Sequence, residues 1–75
     1  MRITVRLIGS FIEKAGFSEK EFEVPAATTI AGMVGLLGID LARPMIITRN
    51  GHAVEGGDAV SAGDRIAISP VYSGG

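Results

Sequence analysis

Cysteine is absent from this 75-residue sequence, and histidine occurs once, as His52. The lack of cysteine excludes disulfides, thiolate zinc sites and iron–sulfur clusters, and one histidine cannot build a multi-histidine metal site. No hydrophobic run approaches the roughly 20 residues that a membrane span needs, and the start MRITVRLIGS lacks the pattern of a signal peptide. Seven basic and eight acidic residues give a net charge of −1, which offers no electrostatic reason to bind nucleic acid. We therefore expect one small cytoplasmic domain that binds neither nucleic acid nor membrane.

Alternating hydrophobic and polar residues predict two strands in the first third of the chain. The alternation covers residues 2–8 and returns over residues 21–24, where Pro25 ends the strand because proline cannot donate to a β-ladder. The polar interval between the two runs is interpreted as a simple connection, so the strands are expected to form a hairpin. Its outer face would carry charges that pair across the strands: Arg2, Arg6, Glu21 and Glu23.

A helix is predicted to follow, with a threonine of Thr28-Thr29-Ile30 as its N-cap and Gly38 as its left-handed terminator. Hydrophobic residues recur along one face at helical spacing: Ile30, Met33, Val34 and Leu37. The outward face carries no charge and consists of Ala31, Gly32, Gly35 and Leu36. This outward face has two interpretations, a surface that contacts only solvent, or a docking surface whose small residues let a partner approach closely.

The second half of the chain predicts three further strands separated by turns. Residues 45–49 form the first, and Asn50-Gly51 is a strong hairpin signal because both residues accept positive φ. Residues 52–54 form the short return strand. Residues 65–69 form the last strand, which Pro70 closes. Two Gly-Asp pairs mark turns between them: Gly57-Asp58 and Gly63-Asp64.

The order of these elements predicts an α+β fold of the β-grasp (ubiquitin-like) type. A mixed sheet of four to five strands would pack on one helix, with the first and last long strands side by side at its centre. We expect residues 1–70 to form this domain and residues 71–75 to form a flexible C-terminal Gly-Gly tail.

Few residues of the predicted domain suit catalysis or metal binding. His52 lies just past a tight turn, where solvation is expected rather than a catalytic role. The carboxylates of Asp58 and Asp64, with Glu55 nearby, lie in turns that suit solvated side chains, so no metal site is predicted. No glycine-rich loop is followed by a helix that could bind phosphate.

The tail is therefore the main candidate functional segment. Residues 71–75 reach at most about 17 Å when extended, and Gly74 and Gly75 have no side chain to obstruct a narrow channel. A carboxylate at Gly75 becomes reactive if its oxygen attacks the α-phosphate of ATP, which gives an acyl-adenylate with AMP as leaving group. A sulfur donor would convert this to a thiocarboxylate, and a lysine amine would form an isopeptide bond. The alternative is a frayed terminus without function.

The whole chain resembles the MoaD/ThiS family of ubiquitin-like sulfur carriers. The similarity rests on the opening Ile3-Thr4-Val5-Arg6-Leu7-Ile8-Gly9, the Asn50-Gly51 turn, Ala62-Gly63-Asp64-Arg65-Ile66, and the ending Pro70-Val71-Tyr72-Ser73-Gly74-Gly75. The ending is more similar to the molybdopterin-synthase small subunit than to the thiazole-pathway carrier. However, Ser69 stands where that branch often has a second proline, and the branch lacks one residue of the tail seen here.

This resemblance implies a carrier or co-substrate protein rather than an enzyme. Gly75 would be the reacting residue, and five residues would thread the tail and contact the partner: Pro70, Val71, Tyr72, Ser73 and Gly74. The implied partners are a ubiquitin-activating-enzyme-like adenylating protein, a sulfur donor and a sulfur-accepting synthase subunit, as in molybdenum or tungsten cofactor (molybdopterin) biosynthesis. No cofactor would be bound, since the activating partner uses the ATP.

Three alternatives to this molybdopterin role remain open at the level of the sequence. The chain could carry sulfur for thiamine thiazole synthesis or for tRNA thiolation. It could be a ubiquitin-like modifier conjugated to lysines through the same terminus. It could also be a binding module that uses its helix face or its sheet and needs no tail.

Overall fold

The computed structural model describes residues 1–71 of the protein. Its elements follow in the order β1 (Arg2–Leu7), α1 (Phe11–Ala15), β2 (Glu19–Glu23), α2 (Ile30–Leu36), β3 (Met45–Arg49), β4 (His52–Ala53) and β5 (Arg65–Pro70). Of the predicted site residues, Pro70 and Val71 are described, whereas Tyr72, Ser73, Gly74 and Gly75 lie outside the described residues.

The five strands form one mixed sheet in the order β2-β1-β5-β3-β4. The central strands β1 and β5 are parallel, whereas β1–β2, β3–β5 and β3–β4 are antiparallel. The β-grasp fold predicted from the sequence is therefore confirmed, with the first and last long strands side by side as expected. The sheet has five strands, the upper limit of the prediction.

The prediction of a single helix is wrong, because a short helix, α1, connects β1 to β2. It is five residues long, and it ends at Gly16, which adopts a left-handed conformation with φ 85° and donates its N–H to the carbonyl of Ile12. Phe11, at its first position, is only 1% exposed and belongs to the core. The polar interval in the sequence is thus one helical turn that holds a core residue, although β1 and β2 do pair as an antiparallel ladder.

The main helix, α2, begins and ends as the sequence predicts. The Thr29 hydroxyl accepts a hydrogen bond from the N–H of Gly32 at 3.1 Å, which identifies Thr29 as the N-cap. The chain leaves the helix at Gly38, whose φ of 76° is readily adopted only by glycine. Two cap residues of the predicted chemistry therefore fix the position of α2 along the chain.

The hydrophobic core lies between the sheet and the helices. Its buried members are Ile3, Val5, Leu7, Phe11, Val24, Ile30, Met33, Val34, Ile39, Ile47, Val60, Ile66 and Ile68. Because β1, β3 and β5 each direct alternate residues into this core, their remaining residues form the opposite, solvent-facing side of the sheet. We call that side the outer face.

Candidate functional site

The base of the tail is held by both neighbours of β5, which extends one residue further than predicted and includes Pro70 as its last residue. Ile68 accepts a hydrogen bond from the N–H of Ile8 at 3.0 Å, so the even-numbered residues of β5 direct their backbone groups towards β1. Pro70 has the same direction, but it lies beyond the end of β1, where a missing N–H removes no ladder hydrogen bond. The next residue, Val71, still donates its N–H to the carbonyl of Pro44 at 3.3 Å. Strand-like pairing with the β3 side therefore continues past the proline.

Three exposed aliphatic side chains surround this base on the outer face. Ile8, Ile46 and Val71 are 41%, 53% and 47% exposed, and the sheet register explains their proximity. Ile46 is paired with Ser69, Ile8 is bonded to Ile68 on the other side of β5, and Val71 follows Ser69 by two residues on the same face. We call these three residues the tail-base patch, because residues 72–75 continue the chain directly from it.

Ile8 and Ile46 were not predicted to be functional residues, although the alternation of each strand places a hydrophobic residue at an outward position there. Ile8 continues the outward positions of β1, and Ile46 occupies an outward position of β3, where a strand with one solvated face ordinarily has polar residues. Exposed hydrophobic residues at outward positions on both sides of β5, together with Val71 after β5 itself, indicate a binding surface rather than a core.

The remainder of the outer face is polar and charged. A shallow depression lies towards the start of β5, lined by residues that include Thr4, Arg6, Thr48 and Arg65. The predicted pairing across β1 and β2 is present for Arg2, which lies 3.2 Å from Glu23 and 4.0 Å from Glu21. These pairs are exposed, so each contributes at most about 1 kcal/mol.

The prediction that the turn aspartates are solvated is wrong for Asp64. Its side chain is only 8% exposed, and it accepts hydrogen bonds from the N–H of Ser61 at 2.7 Å and from Nδ2 of Asn50 at 3.1 Å. Oδ1 of Asn50 in turn accepts from the N–H of Arg65 at 2.9 Å. Asp64 therefore links the β3–β4 hairpin turn to the start of β5, which is a structural role.

The other carboxylates and the histidine of these turns are exposed as expected. Asp58 is exposed and caps its own turn by accepting from the N–H of Glu55 at 2.8 Å. His52 is exposed at the start of β4, next to the turn formed by Asn50 and Gly51, whose φ values are 52° and 85°. Within residues 1–71, no three histidine or acidic side chains come together in a group that could hold a metal ion.

The uncharged outward face of α2 is only partly open. Leu36 is 73% exposed, and Gly32 and Gly35 are exposed as predicted. Ala31 is half-buried, because its N–H donates to the carbonyl of Gly56 at 2.9 Å and the loop after β4 packs against it. The exposed part of this face therefore has one large hydrophobic residue, whereas the tail-base patch has three. No helix within the described part of the chain is long and apolar enough to cross a membrane.

Comparison with known proteins relates this arrangement to one family. The model of the ThiS family matches residues 5–75. SAMP1 from Haloferax volcanii is similar, with 26% sequence identity, a TM-score of 0.80 and coverage of 100% of both chains. Urm1 from Trypanosoma brucei has 20% identity and a TM-score of 0.70, covering 99% of this chain and 95% of its own. No curated protein sequence matches the chain.

A third similar structure comes from an assembly. It is a chain of the complex between subunits 1 and 2 of the molybdopterin-converting factor from Helicobacter pylori, with 17% identity, a TM-score of 0.68 and coverage of 100% of both chains. At 17% and 20% identity, the similarity of the Helicobacter pylori chain and of Urm1 to this protein shows a shared fold.

Proposed function

The chain belongs to the ThiS family of ubiquitin-like sulfur carriers, and on that basis we propose that its reacting atom is the carboxyl carbon of Gly75. The observation that carries this proposal is the tail-base patch. Hydrophobic side chains of about half exposure surround Val71, the residue from which the Gly-Gly segment continues. An enzyme that binds residues 72–75 would be brought close to this patch, because residue 72 follows Val71 directly along the chain.

The proposed reaction begins with adenylation by a partner enzyme. An oxygen of the Gly75 carboxylate attacks the α-phosphorus of ATP, the bond between the α-phosphorus and the bridging oxygen breaks, and pyrophosphate leaves. Hydrosulfide supplied by the sulfur donor then attacks the carbonyl carbon. The bond between this carbon and the AMP oxygen breaks, so AMP departs and a thiocarboxylate forms on Gly75. The chain binds no cofactor in this scheme, since the partner holds the ATP. It therefore acts as a co-substrate and not as a catalyst.

The residues before Gly75 would guide the terminus into the partner. Gly74 offers no side chain, so a narrow channel can admit it in conformations closed to other residues. Ser73 and Tyr72 would contact the walls of that channel, and Val71 and Pro70 would fix its direction, because both remain tied to the sheet register. The free energy of binding would come chiefly from the tail-base patch and the tyrosine ring.

We assign the sulfur to molybdenum or tungsten cofactor (molybdopterin) biosynthesis, where a larger synthase subunit would accept it. Support comes from the terminal Pro70-Val71-x-x-Gly74-Gly75 sequence, which resembles the ending of the molybdopterin-synthase small subunit. Sulfur transfer for thiamine thiazole synthesis or tRNA thiolation would use the same activated terminus with a different acceptor. Incubation of the thiocarboxylated chain with each candidate synthase subunit would identify the acceptor, because the cognate subunit should remove the sulfur.

A second candidate function is protein modification, in which a lysine amine displaces AMP from the adenylate. The similarity to SAMP1, a small archaeal modifier protein, favours it. Conjugates of high molecular weight that disappear when Gly75 is removed would support the modifier. A shift in intact mass equal to one sulfur in place of one oxygen would support the carrier.

Removal of Gly75 tests the reacting atom. We expect ATP–pyrophosphate exchange with the cognate activating enzyme to be lost in the truncated chain. The thermal unfolding curve should stay unchanged, because the described strands, helices and core are made by residues 2–70. Equal exchange by the truncated and full-length chains would refute the assignment of Gly75.

The substitution Ile46→Ala tests the tail-base patch separately. Burying the exposed half of this side chain would contribute about 1 kcal/mol to binding, so KM for the carrier in the exchange assay should rise about fivefold at unchanged kcat. Leu36→Ala is the matched control, because Leu36 is an exposed aliphatic residue on α2, on the opposite side of the sheet. Equal KM values for the two variants would show that the patch does not bind the activating enzyme.

A further inference from the structure

Asn50 carries the only carboxamide side chain of the protein, because the sequence has one asparagine and no glutamine. Asparagine is one of the thermolabile residue types. The residue that follows is Gly51, which has no side chain to shield its backbone nitrogen. This nitrogen can attack the side-chain carbonyl carbon of the preceding asparagine. An asparagine before a glycine is therefore the sequence in which the side-chain amide is lost most easily.

In the folded protein, the Asn50 carboxamide is held at both of its polar atoms. Oδ1 accepts a hydrogen bond from the N–H of Arg65 at 2.9 Å, and Nδ2 donates to Oδ1 of Asp64 at 3.1 Å. The backbone N–H of Asn50 also donates to the carbonyl of Arg65 at 2.8 Å. These three bonds hold the side chain and the backbone of Asn50 against the start of β5. Its carbonyl carbon is therefore not free to turn towards the nitrogen of Gly51.

Asp64 requires a hydrogen-bond donor at the position that Nδ2 of Asn50 occupies. Asp64 is 8% exposed, and its other oxygen, Oδ2, already accepts from the N–H of Ser61 at 2.7 Å. The guanidinium of Arg65 forms its ion pair with Glu19 at 3.6 Å, and within residues 1–71 no cation is paired with Asp64. A carboxylate in place of the carboxamide would therefore put two like charges at hydrogen-bond distance without a neutralising partner.

We propose that Asn50 is a site of spontaneous deamidation, that the native turn suppresses the reaction, and that its products destabilise that turn. The backbone nitrogen of Gly51 attacks the side-chain carbonyl carbon of Asn50 and gives up its proton. The bond from this carbon to the amide nitrogen breaks, and the nitrogen leaves with that proton as ammonia. Water then opens the cyclic imide at either carbonyl, which gives aspartate or isoaspartate at position 50. The reaction needs no oxidant, reductant or enzyme.

The two products disturb the turn in different ways. Aspartate at position 50 keeps an acceptor for the N–H of Arg65, but it places an oxygen against Oδ1 of Asp64 where Nδ2 donated before. Isoaspartate leads the backbone through the side chain and adds one carbon to a two-residue turn, whose flanking residues Arg49 and His52 are paired across the hairpin. Both products therefore weaken the link between the β3–β4 turn and the start of β5.

Deamidation should follow opening of the turn, since the closed turn holds the reacting carbon in place. Asn50 and Gly51 are exposed and β4 is only two residues long, so this hairpin can open while the core stays folded. A chain that reacts while open closes again on a weakened turn and opens more readily afterwards. Because the ammonia is lost, position 50 keeps an irreversible record of unfolding.

One experiment measures the stability of the product. Asn50→Asp should raise the equilibrium constant for unfolding at least tenfold at neutral pH, as measured by urea denaturation. Adding Asp64→Asn should reverse most of this loss, because the exchanged pair again sets an amide donor opposite a carboxylate, and the amide oxygen at position 64 still accepts from Ser61. Wild-type stability of Asn50→Asp, or a further loss on adding Asp64→Asn, would overturn the proposal.

A second experiment follows the reaction in the full-length chain. Because Asn50 carries the only carboxamide, the increase in intact mass when OH replaces NH₂ reports on this residue alone, and an isoaspartyl methyltransferase detects the isoaspartate. We expect the rate in buffer to be at least tenfold lower than in urea at a concentration that unfolds the chain. In urea, Gly51→Ala should slow the reaction, because the added Cβ hinders the attacking nitrogen and folding has no influence there.

Two aspartate variants separate the hydrogen bond to Asn50 from other effects. Asp64→Ala should accelerate the reaction in buffer, because it releases Nδ2 of Asn50, whereas Asp58→Ala removes a carboxylate that caps its own turn and should leave the rate unchanged. Equal rates in buffer and in urea, or no acceleration by Asp64→Ala, would overturn the proposal. None of these measurements involves Gly75 or a partner enzyme, so the proposed sulfur transfer is left to its own test.

Discussion

Replacement of Asp64 by alanine should destabilise the protein far more than the same change at Asp58. Both aspartates follow a glycine in a surface turn, and the sequence alone treats them alike. In the structure, Asp64 is 8% exposed and accepts hydrogen bonds from Ser61 and Asn50, whereas Asp58 is exposed and accepts one bond from Glu55. The two variants therefore differ in burial and in the number of bonds removed.

The magnitude follows from those bonds. A hydrogen bond to a charged group contributes about 1.5–3 kcal/mol, and a buried donor left without a partner is costly. Because the two bonds to Asp64 share one network, we expect a total loss of about 2–4 kcal/mol for Asp64→Ala. The loss at Asp58 should be about 0.5–1 kcal/mol, because water replaces the carboxylate there. A domain of this length has a total free energy of unfolding of only about 4–11 kcal/mol.

The assay is thermal and chemical unfolding of the wild type and both variants, followed by circular dichroism. A loss of about 3 kcal/mol corresponds to a fall in Tm of roughly 12–24 °C for a domain of this size. Asp64→Asn should fall between the wild type and Asp64→Ala, because asparagine keeps one acceptor oxygen but presents an amide to Nδ2 of Asn50. If Asp64→Ala costs no more than Asp58→Ala, the assigned role of Asp64 in anchoring β5 is wrong.

Four further substitutions test local features of the fold by the change in the free energy of unfolding. Gly35→Ala should raise it by about 0.5–1 kcal/mol, since an added Cβ meets nothing within 4 Å in the helix, whereas Gly38→Ala should lower it by about 1–2 kcal/mol because φ is 76° there. Phe11→Ala should lower it by about 3–5 kcal/mol, measured by urea denaturation, and a smaller loss than 1 kcal/mol would show that α1 does not contribute to the core. Thr29→Ala should lower it by about 1 kcal/mol through loss of the cap bond to Gly32, detectable as a shift of the urea midpoint without a change in m-value.

Most of the fold could be predicted from local sequence signals, because the conformations that these residues favour locally are the ones that the tertiary structure requires. Thr29 and Gly38 mark the two ends of α2 through capping that needs no tertiary contact. Asn50-Gly51 favours its turn in the same local way. The helix α1 could not be found in this way, because five residues give too little periodicity to distinguish one helical turn from a loop that contains Phe11, Ile12 and Ala15.

Only one part of the candidate site, the Gly-Gly terminus, could be predicted from the sequence. The Gly-Gly terminus follows from composition and order along the chain, but a patch made of residues far apart in sequence follows only from register. Ile8 and Ile46 come together because β5 lies between β1 and β3, a pairing that no local pattern states. The burial of Asp64 has the same origin, since its partner Asn50 lies in a different turn.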